Sequence, residues 1–317
     1  MKLILIDGIP GSGKSTLAHF LAHQFSLNGI EARWFHELEP ENPLFDPQYM
    51  KTRKIVSIDE FTERNLALWS GLVKKIDSDD LVYIIDSYLF QSTIGHLFDS
   101  AFDENSILQY AEKVPPILTK VNPFIVYFKQ ANTKKALYNL EKVRGEQWVD
   151  QRVKNQQSCP YAIKHNLQDF DGWVTMLSKR AELCERILAS YPFQKIIIDP
   201  TKGDWNSYYN QILDFIGIDY VQEEKLPIEI LERYQGKYQI VNSEFTCDIR
   251  IIDSGLYIFN FLHKEFQLLQ KEGLLFEVES TPYIITFHQS PEGTIRGMTF
   301  DGSRLDENDT YELEWLS

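Results

Sequence analysis

The chain has 317 residues, of which 43% are hydrophobic and 25% charged, and it carries a formal net charge of −14. That length suits two domains rather than one, the composition is that of a folded chain rather than a disordered one, and the acidity excludes a sequence-independent grip on nucleic acid, which needs a basic surface. Three widely spaced cysteines (Cys159, Cys184, Cys247) without a CxxC pair read as reduced thiols of a cytoplasmic protein.

The first apolar run, residues 3–6, reads as a strand buried on both faces. It is cut by Asp7 and Gly8, so it does not read as a signal peptide, and no later stretch approaches the ~20 apolar residues of a membrane span. "GIPGSGKS", residues 8–15, follows at once and fits GxxxxGK[ST]. In such a loop Gly8, Gly11 and Gly13 let the backbone turn tightly, so that its N–H groups, with Ser12, surround a polyphosphate. Lys14 reaches the terminal phosphates, the Ser15 hydroxyl binds Mg²⁺, and Thr16 continues into the helix. Leu17, Phe20, Leu21 and Phe25 line one face of that helix, and Asn28-Gly29 closes it.

A second strand over 32–35 leads into "HELEP", with Glu37 and Glu39 just past its end. Glu39, followed by Pro40, is the candidate general base: a carboxylate on the acceptor side of the phosphate loop, able to take a proton from a hydroxyl. Glu37 and Asp86 compete with it for that role. A helix over 57–76 opens with a capping box from Ser57 to Glu60. The third strand, 81–85, ends at Asp86, where a carboxylate suits the surroundings of Mg²⁺, because ligands of such sheets bind outside the carboxyl ends of strands. A fourth strand over 124–128 precedes a basic stretch, 129–164, with eight lysines and arginines against three acids. That is where a lid can close over transferring phosphates, with Arg144 and Arg152 as its candidate cations and Gly145 weakening any continuous helix between them. The fifth strand spans 195–198 and runs into Thr201-Lys202-Gly203-Asp204.

Alternation of strands and helices implies a doubly wound α/β domain over residues 1–222. An acidic linker, "VQEEKLP" (221–227), ends it. From 226 to 317, a region with 7 basic and 16 acidic residues, the period becomes that of seven or eight short strands between turns: a small antiparallel meander, barrel or curled sheet.

"LILIDGIPGSGKST", "ELEP" and "IIDSYLFQST" together resemble the P-loop kinases of nucleosides and nucleotides, thymidylate kinases among them. Thymidylate kinases carry a Glu-Pro after the second strand and D-R-Y-x-x-S after the third. Here the latter reads Asp86-Ser87-Tyr88-Leu89-Phe90-Gln91-Ser92, with Ser87 in place of the arginine. "GEQWVDQRV" and "FDGWVTMLSKRAELCERIL" look like an uncharacterised group of bacterial P-loop proteins. The tail, with "LERYQGKY", is weakly similar to a β domain appended to some β-lactamase-like hydrolases, without the Ser-x-x-Lys of a hydrolase. The resemblance covers roughly residues 1–220. It implies a five-stranded P-loop NTPase sheet with helices on both faces, ATP and Mg²⁺ as cofactors, and phosphoryl transfer to a small hydroxyl- or phosphate-bearing acceptor. It carries the role of general base to Glu39.

Two other readings stay open. Thr201-Lys202-Gly203-Asp204 mimics the [NT]KxD motif of GTPases, although Asp86 lacks the Asp-x-x-Gly that should accompany it. A nucleotide-sensing ATPase acting through the β domain is the other. The expected partners are a nucleotide and a small-molecule acceptor, with neither a nucleic acid polymer nor a membrane, and the β domain suits contact or homodimer formation more than ligand binding.

Overall fold

In the computed structural model the alternating runs build a five-stranded parallel sheet clothed by helices, and the C-terminal meander closes into an antiparallel barrel. The structure describes residues 1–316 other than 53, 56, 224, 262 and 263, so residue 224 of the linker lies outside the described residues. Two compact units are present, Met1–Val221 and Gln222–Ser317.

The first unit runs β1 (Leu3–Gly8), α1 (Lys14–Leu27), β2 (Ala32–Phe35), α2 (Pro47–Thr52), α3 (Ile58–Ser78) and β3 (Val82–Asp86). A π-helical turn (Phe90–Ile94) then passes into α4 (Gly95–Asp99), followed by α5 (Glu104–Leu118), β4 (Phe124–Phe128), α6 (Thr133–Arg144) and α7 (Glu146–Gln157). The remainder is α8 (Pro160–Lys164), α9 (Asp169–Ser190), β5 (Lys195–Ile198) and α10 (Trp205–Ile216). The strand order is β2-β3-β1-β4-β5, all pairs parallel.

The apolar strands follow from this burial, because side chains alternate between two covered faces. Ile4 and Ile6 of β1 join Leu17, Leu21, Ile212 and Leu213 beneath α1 and α10. Leu3 and Leu5 face the other way, into the larger core with Trp69, Leu72, Tyr110 and Ile187. Helix α3 begins where its sequence signal lies, Ser57 Oγ accepting from Glu60 N at 3.3 Å, a cap of about 1 kcal/mol. β1 stands between β3 and β4, where the order of building reverses, and the crevice at such a reversal is the natural ligand site.

The second unit opens with α11 (Ile228–Leu231) and continues through β6 (Gly236–Ile240), β7 (Thr246–Ile252), β8 (Gly255–Phe259) and β9 (Phe266–Glu272). β10 (Leu275–Val278), β11 (Ile284–Gln289), β12 (Ile295–Asp301) and β13 (Thr310–Leu316) complete it. Each strand pairs with its chain neighbour, and β13 returns to β6 with Leu313 opposite Ile240, so the ladder has no open edge. Tyr238, Phe276, Val278, Ile285, Phe287 and Met298 are at most 1% exposed. They fill the interior as eight-stranded barrels of this size require, which makes the barrel a packed core rather than a ligand cup.

Because each unit has its own apolar core, a fragment of residues 1–221 is expected to fold alone and to bind ATP as tightly as the full chain. Parallel titrations of fragment and full chain check this, and a lost affinity in a soluble fragment would mean that later residues complete the site.

Candidate functional site

The apolar run of β1 stops at Asp7-Gly8 because the chain must turn back over the sheet end before α1. Gly13 takes a left-handed φ of 94°, and a Cβ there would stand 2.1 Å from Trp205 Cη2 of α10. Gly11 has φ 76°, and its Cβ would stand 2.7 Å from Leu140 Cδ1 of α6. Both positions need glycine for conformation and for room. The Lys14 side chain is buried and folds back over the loop, Nζ donating to the Ile9 carbonyl at 3.0 Å. Gly13 gives α1 no side-chain cap, which leaves the positive end of the helix to the loop. Ser12 is 1% exposed, and its Oγ has no hydrogen-bond partner among the described residues. Buried hydroxyls are normally paired, so an uncapped helix end beside an orphaned hydroxyl and a buried ammonium fits an anionic oxygen ligand.

Ser15, one residue into α1, donates its hydroxyl to Asp86 Oδ2 at 2.6 Å. Asp86 is 1% exposed at the end of β3, and its Oδ1 accepts from Ser87 Oγ at 2.6 Å. Ser87 has φ 62°, a left-handed conformation costing a non-glycine residue about 1–2 kcal/mol. Such outliers persist where their surroundings over-determine them, often at functional sites. Among the described residues no group of three or more His, Cys, Asp and Glu could hold a metal ion. The hydroxyl–carboxylate pair instead offers two hard oxygen donors, which fits Mg²⁺, an ion that takes few protein ligands and keeps waters and phosphate oxygens.

The two glutamates after β2 part company. Glu39 is fully buried, bonded to Arg33 Nη2 at 2.5 Å through Oε1 and to the His36 backbone N–H at 3.2 Å through Oε2. Arg33 also holds Glu41 at 2.7 Å. Glu39 therefore ties the 36–42 loop to β2, and neither oxygen is free of a protein partner. Glu37 Oε2 accepts from Gln91 Nε2 at 2.6 Å and Ser92 Oγ at 3.4 Å, both on the helical turn after β3. β2 is separated from β1 by β3 alone, so the strand axes behind Glu37 and the loop stand roughly 10 Å apart.

Gly145, at φ 85° and ψ 156°, breaks the basic stretch into α6 and α7 instead of merely weakening one helix. Trp148 lies between Arg144 and Arg152, their Cζ atoms 5.1 and 5.0 Å from its ring. Arg144 is exposed at its surface, yet its guanidinium is held below its ordinary pKa, first by the protein atoms crowding it and next by Arg152, while Glu37 opposes the shift. Leu137, Leu140, Val149, Trp173 and Leu177 form a small apolar cluster of their own that ties α6 and α7 to α9. Lys129 and Lys134 pair with Glu185 and Asp171 on α9 at 2.6 and 2.7 Å.

The structure thus brings Lys14, Ser15 and Asp86 to one sheet end, bonds Glu37 to the helical turn after β3, sets Arg144 and Arg152 over the Trp148 ring, and keeps Glu39 in the loop's own framework. Thr16 sits half-buried in the first turn of α1. Asp204 caps α10, its Oδ1 accepting from Ser207 N at 3.3 Å. Sequence reasoning passed over Asp7, Gln91, Ser92 and Trp148. Only Asp7 carried a clear signal, an acid inside an otherwise apolar strand. It is 1% exposed and accepts from the backbone of Gly8, Phe90 and Gln91 at 2.8, 2.7 and 3.2 Å. Burial pushes its carboxyl up to about 6, against the pull of Lys14 and those three amides.

Among the described residues no helix is long and apolar enough to cross a membrane. No family model and no curated protein matches the chain. Among solved structures it is similar to the YorR protein of Bacillus subtilis in complex with phosphorylated GDP, with 13% identity, a TM-score of 0.39, and 68% of this chain and 96% of that one covered.

Proposed function

We propose that this chain is an ATP- and Mg²⁺-dependent phosphotransferase acting on a small molecule that bears a hydroxyl or phosphate. The observation that carries the reading is the Ser15–Asp86 hydrogen bond at the mouth of a glycine loop that already holds a buried Lys14. The loop N–H groups and Lys14 would bind and neutralise the terminal phosphates. Ser15 and Asp86 would hold Mg²⁺, which supplies further charge neutralisation on phosphate oxygens when bound. Glu37, which Gln91 holds through Oε2 beside the helical turn after β3, would accept the proton of the acceptor hydroxyl, while Glu39 is bound up with Arg33. Arg144 and Arg152 would stabilise the charge of the transferring group, carried by an α6–α7 lid that shares a small apolar core with α9.

The GTPase reading is disfavoured by two observations. Asp204 is engaged as the cap of α10, and the chain after Asp86 enters Ser87 and a helical turn rather than a glycine. ATP and GTP titrations separate the two. The reaction itself is tested by ATP consumption over a panel of nucleosides, nucleoside monophosphates and aminoglycoside antibiotics. At least one acceptor is expected to raise consumption about a hundredfold or more over water, the range that positioned proton transfer supplies. Phosphate release unchanged by every acceptor would favour a nucleotide-sensing ATPase.

A further inference from the structure

Asp7 is a buried acid in the central strand, where a leucine would satisfy the packing without desolvating a charge. Its two oxygens serve two different parts of the site. Oδ1 accepts from Gly8 N at 2.8 Å, the first residue of the phosphate loop, and Oδ2 accepts from Phe90 N at 2.7 Å. Gln91 N reaches both oxygens, at 3.2 and 3.3 Å. Gln91 in turn donates its side-chain amide to Glu37 at 2.6 Å. A short chain of hydrogen bonds therefore runs from the loop through Asp7 and Gln91 to the carboxylate on the acceptor side.

We propose that Asp7 is a positioning residue that couples occupancy of the phosphate loop to the placement of Gln91 and, through it, Glu37. The inference rests on the reading that the loop takes phosphate and Glu37 faces the acceptor. A carboxylate suits this task because it accepts from several N–H groups at once, and it lies at the start of a helical segment whose first amides need acceptors. Lys14, Arg180, Tyr127 and Cys184 are the other ionisable groups around it. Lys14 neutralises it in part. Arg180 is engaged with Asp99 at 3.4 Å, and burial keeps the Cys184 thiol and the Tyr127 phenol protonated.

Hydrogen exchange on the full chain tests the coupling without any transfer assay, with Mg²⁺·ATP as the probe. Saturating Mg²⁺·ATP is expected to slow exchange at residues 8–16 and also, about tenfold, at the amides of Phe90 and Gln91, because residues joined in one hydrogen-bonded unit open together. In Asp7→Asn, whose side chain offers one acceptor oxygen and a donor in place of two acceptors, protection should remain at 8–16 and vanish at Phe90 and Gln91. Protection confined to 8–16 in the wild type would overturn the proposal while leaving the phosphate-loop reading intact. No protection at 8–16 would remove that reading and this inference with it. Gln91→Ala cuts the same chain beyond Asp7 and needs no change in the buried strand. With the fastest acceptor of the panel it should lower kcat about 10–100-fold at unchanged KM for ATP, and should cost no more than twofold in the Glu37→Gln background. Losses that multiply in the double variant would also overturn the coupling.

Discussion

Lys14→Ala is expected to abolish phosphoryl transfer and to weaken ATP binding about tenfold to a hundredfold, the worth of about 1.5–3 kcal/mol for a hydrogen bond to a charged group. The ammonium is buried and donates to the Ile9 carbonyl, a neutral acceptor inside the loop that carries it. It also offsets in part the buried Asp7 carboxylate, whose own desolvation outweighs that pull, so the cation gains little for the fold. Its melting temperature should therefore stay within a few degrees of the wild type. The combination discriminates. If Lys14 is a ligand for phosphates, activity and affinity fall while stability does not. If it merely closes the loop, stability falls and a titration at a temperature where the variant is folded shows near-normal affinity. Isothermal titration, single-turnover transfer and a thermal melt on the same preparation give all three quantities. Unchanged ATP affinity would sink the phosphate role.

The first unit was legible because its signals are local. A strand buried on both faces is apolar throughout, as 124–128 (β4) is, and the edge strands β2 and β5 still show as short apolar-rich runs at 32–35 and 195–198, although Arg33 is half-buried and Ile197 exposed. The glycine loop was legible because Gly11 and Gly13 take left-handed conformations with no room for a Cβ, which local sequence marks as a tight turn. What escaped depends on contacts between distant residues. Alternation along 236–316 marks strands, but closure rests on Leu313 meeting Ile240, a pairing no local period encodes. The same holds for Gly145: propensity marks a weak point in a helix, whereas the break, and the stacking of Arg144 and Arg152 on Trp148 that follows it, come from packing. Glu37 and Glu39 stand two residues apart in one acidic loop. Arg33, back in β2, holds Glu39 in the loop's framework, and Gln91, on the helical turn after β3, holds Glu37. Asp7 shows the converse, an anomaly visible in the strand whose purpose appears only with the amides of Phe90 and Gln91 around it.

That division between the two glutamates gives the second large effect. In Glu37→Gln the side chain keeps its shape and loses its basicity. ATP affinity should remain near the wild type, while transfer falls ~10²–10⁴-fold, the usual size of a general-base contribution. Glu39→Gln should behave as a structural lesion. It removes one charge from the pair with Arg33, whose side chain is 37% exposed and can turn to water. The cost is then about 1–2 kcal/mol, well below that of a wholly buried pair, and a few degrees of melting temperature. Transfer by the folded fraction should stay within about threefold of the wild type, less than 1 kcal/mol of barrier. Single-turnover transfer from ATP beside a melt of each variant decides the matter. A large loss of transfer in Glu39→Gln at unaltered melting temperature, with Glu37→Gln near normal, would give the base to Glu39 and make Glu37 an idle loop acid. Loss in both, without loss of ATP affinity, would mean that the 36–42 loop acts as one unit, Glu39 and Arg33 holding it so that Glu37 meets the acceptor.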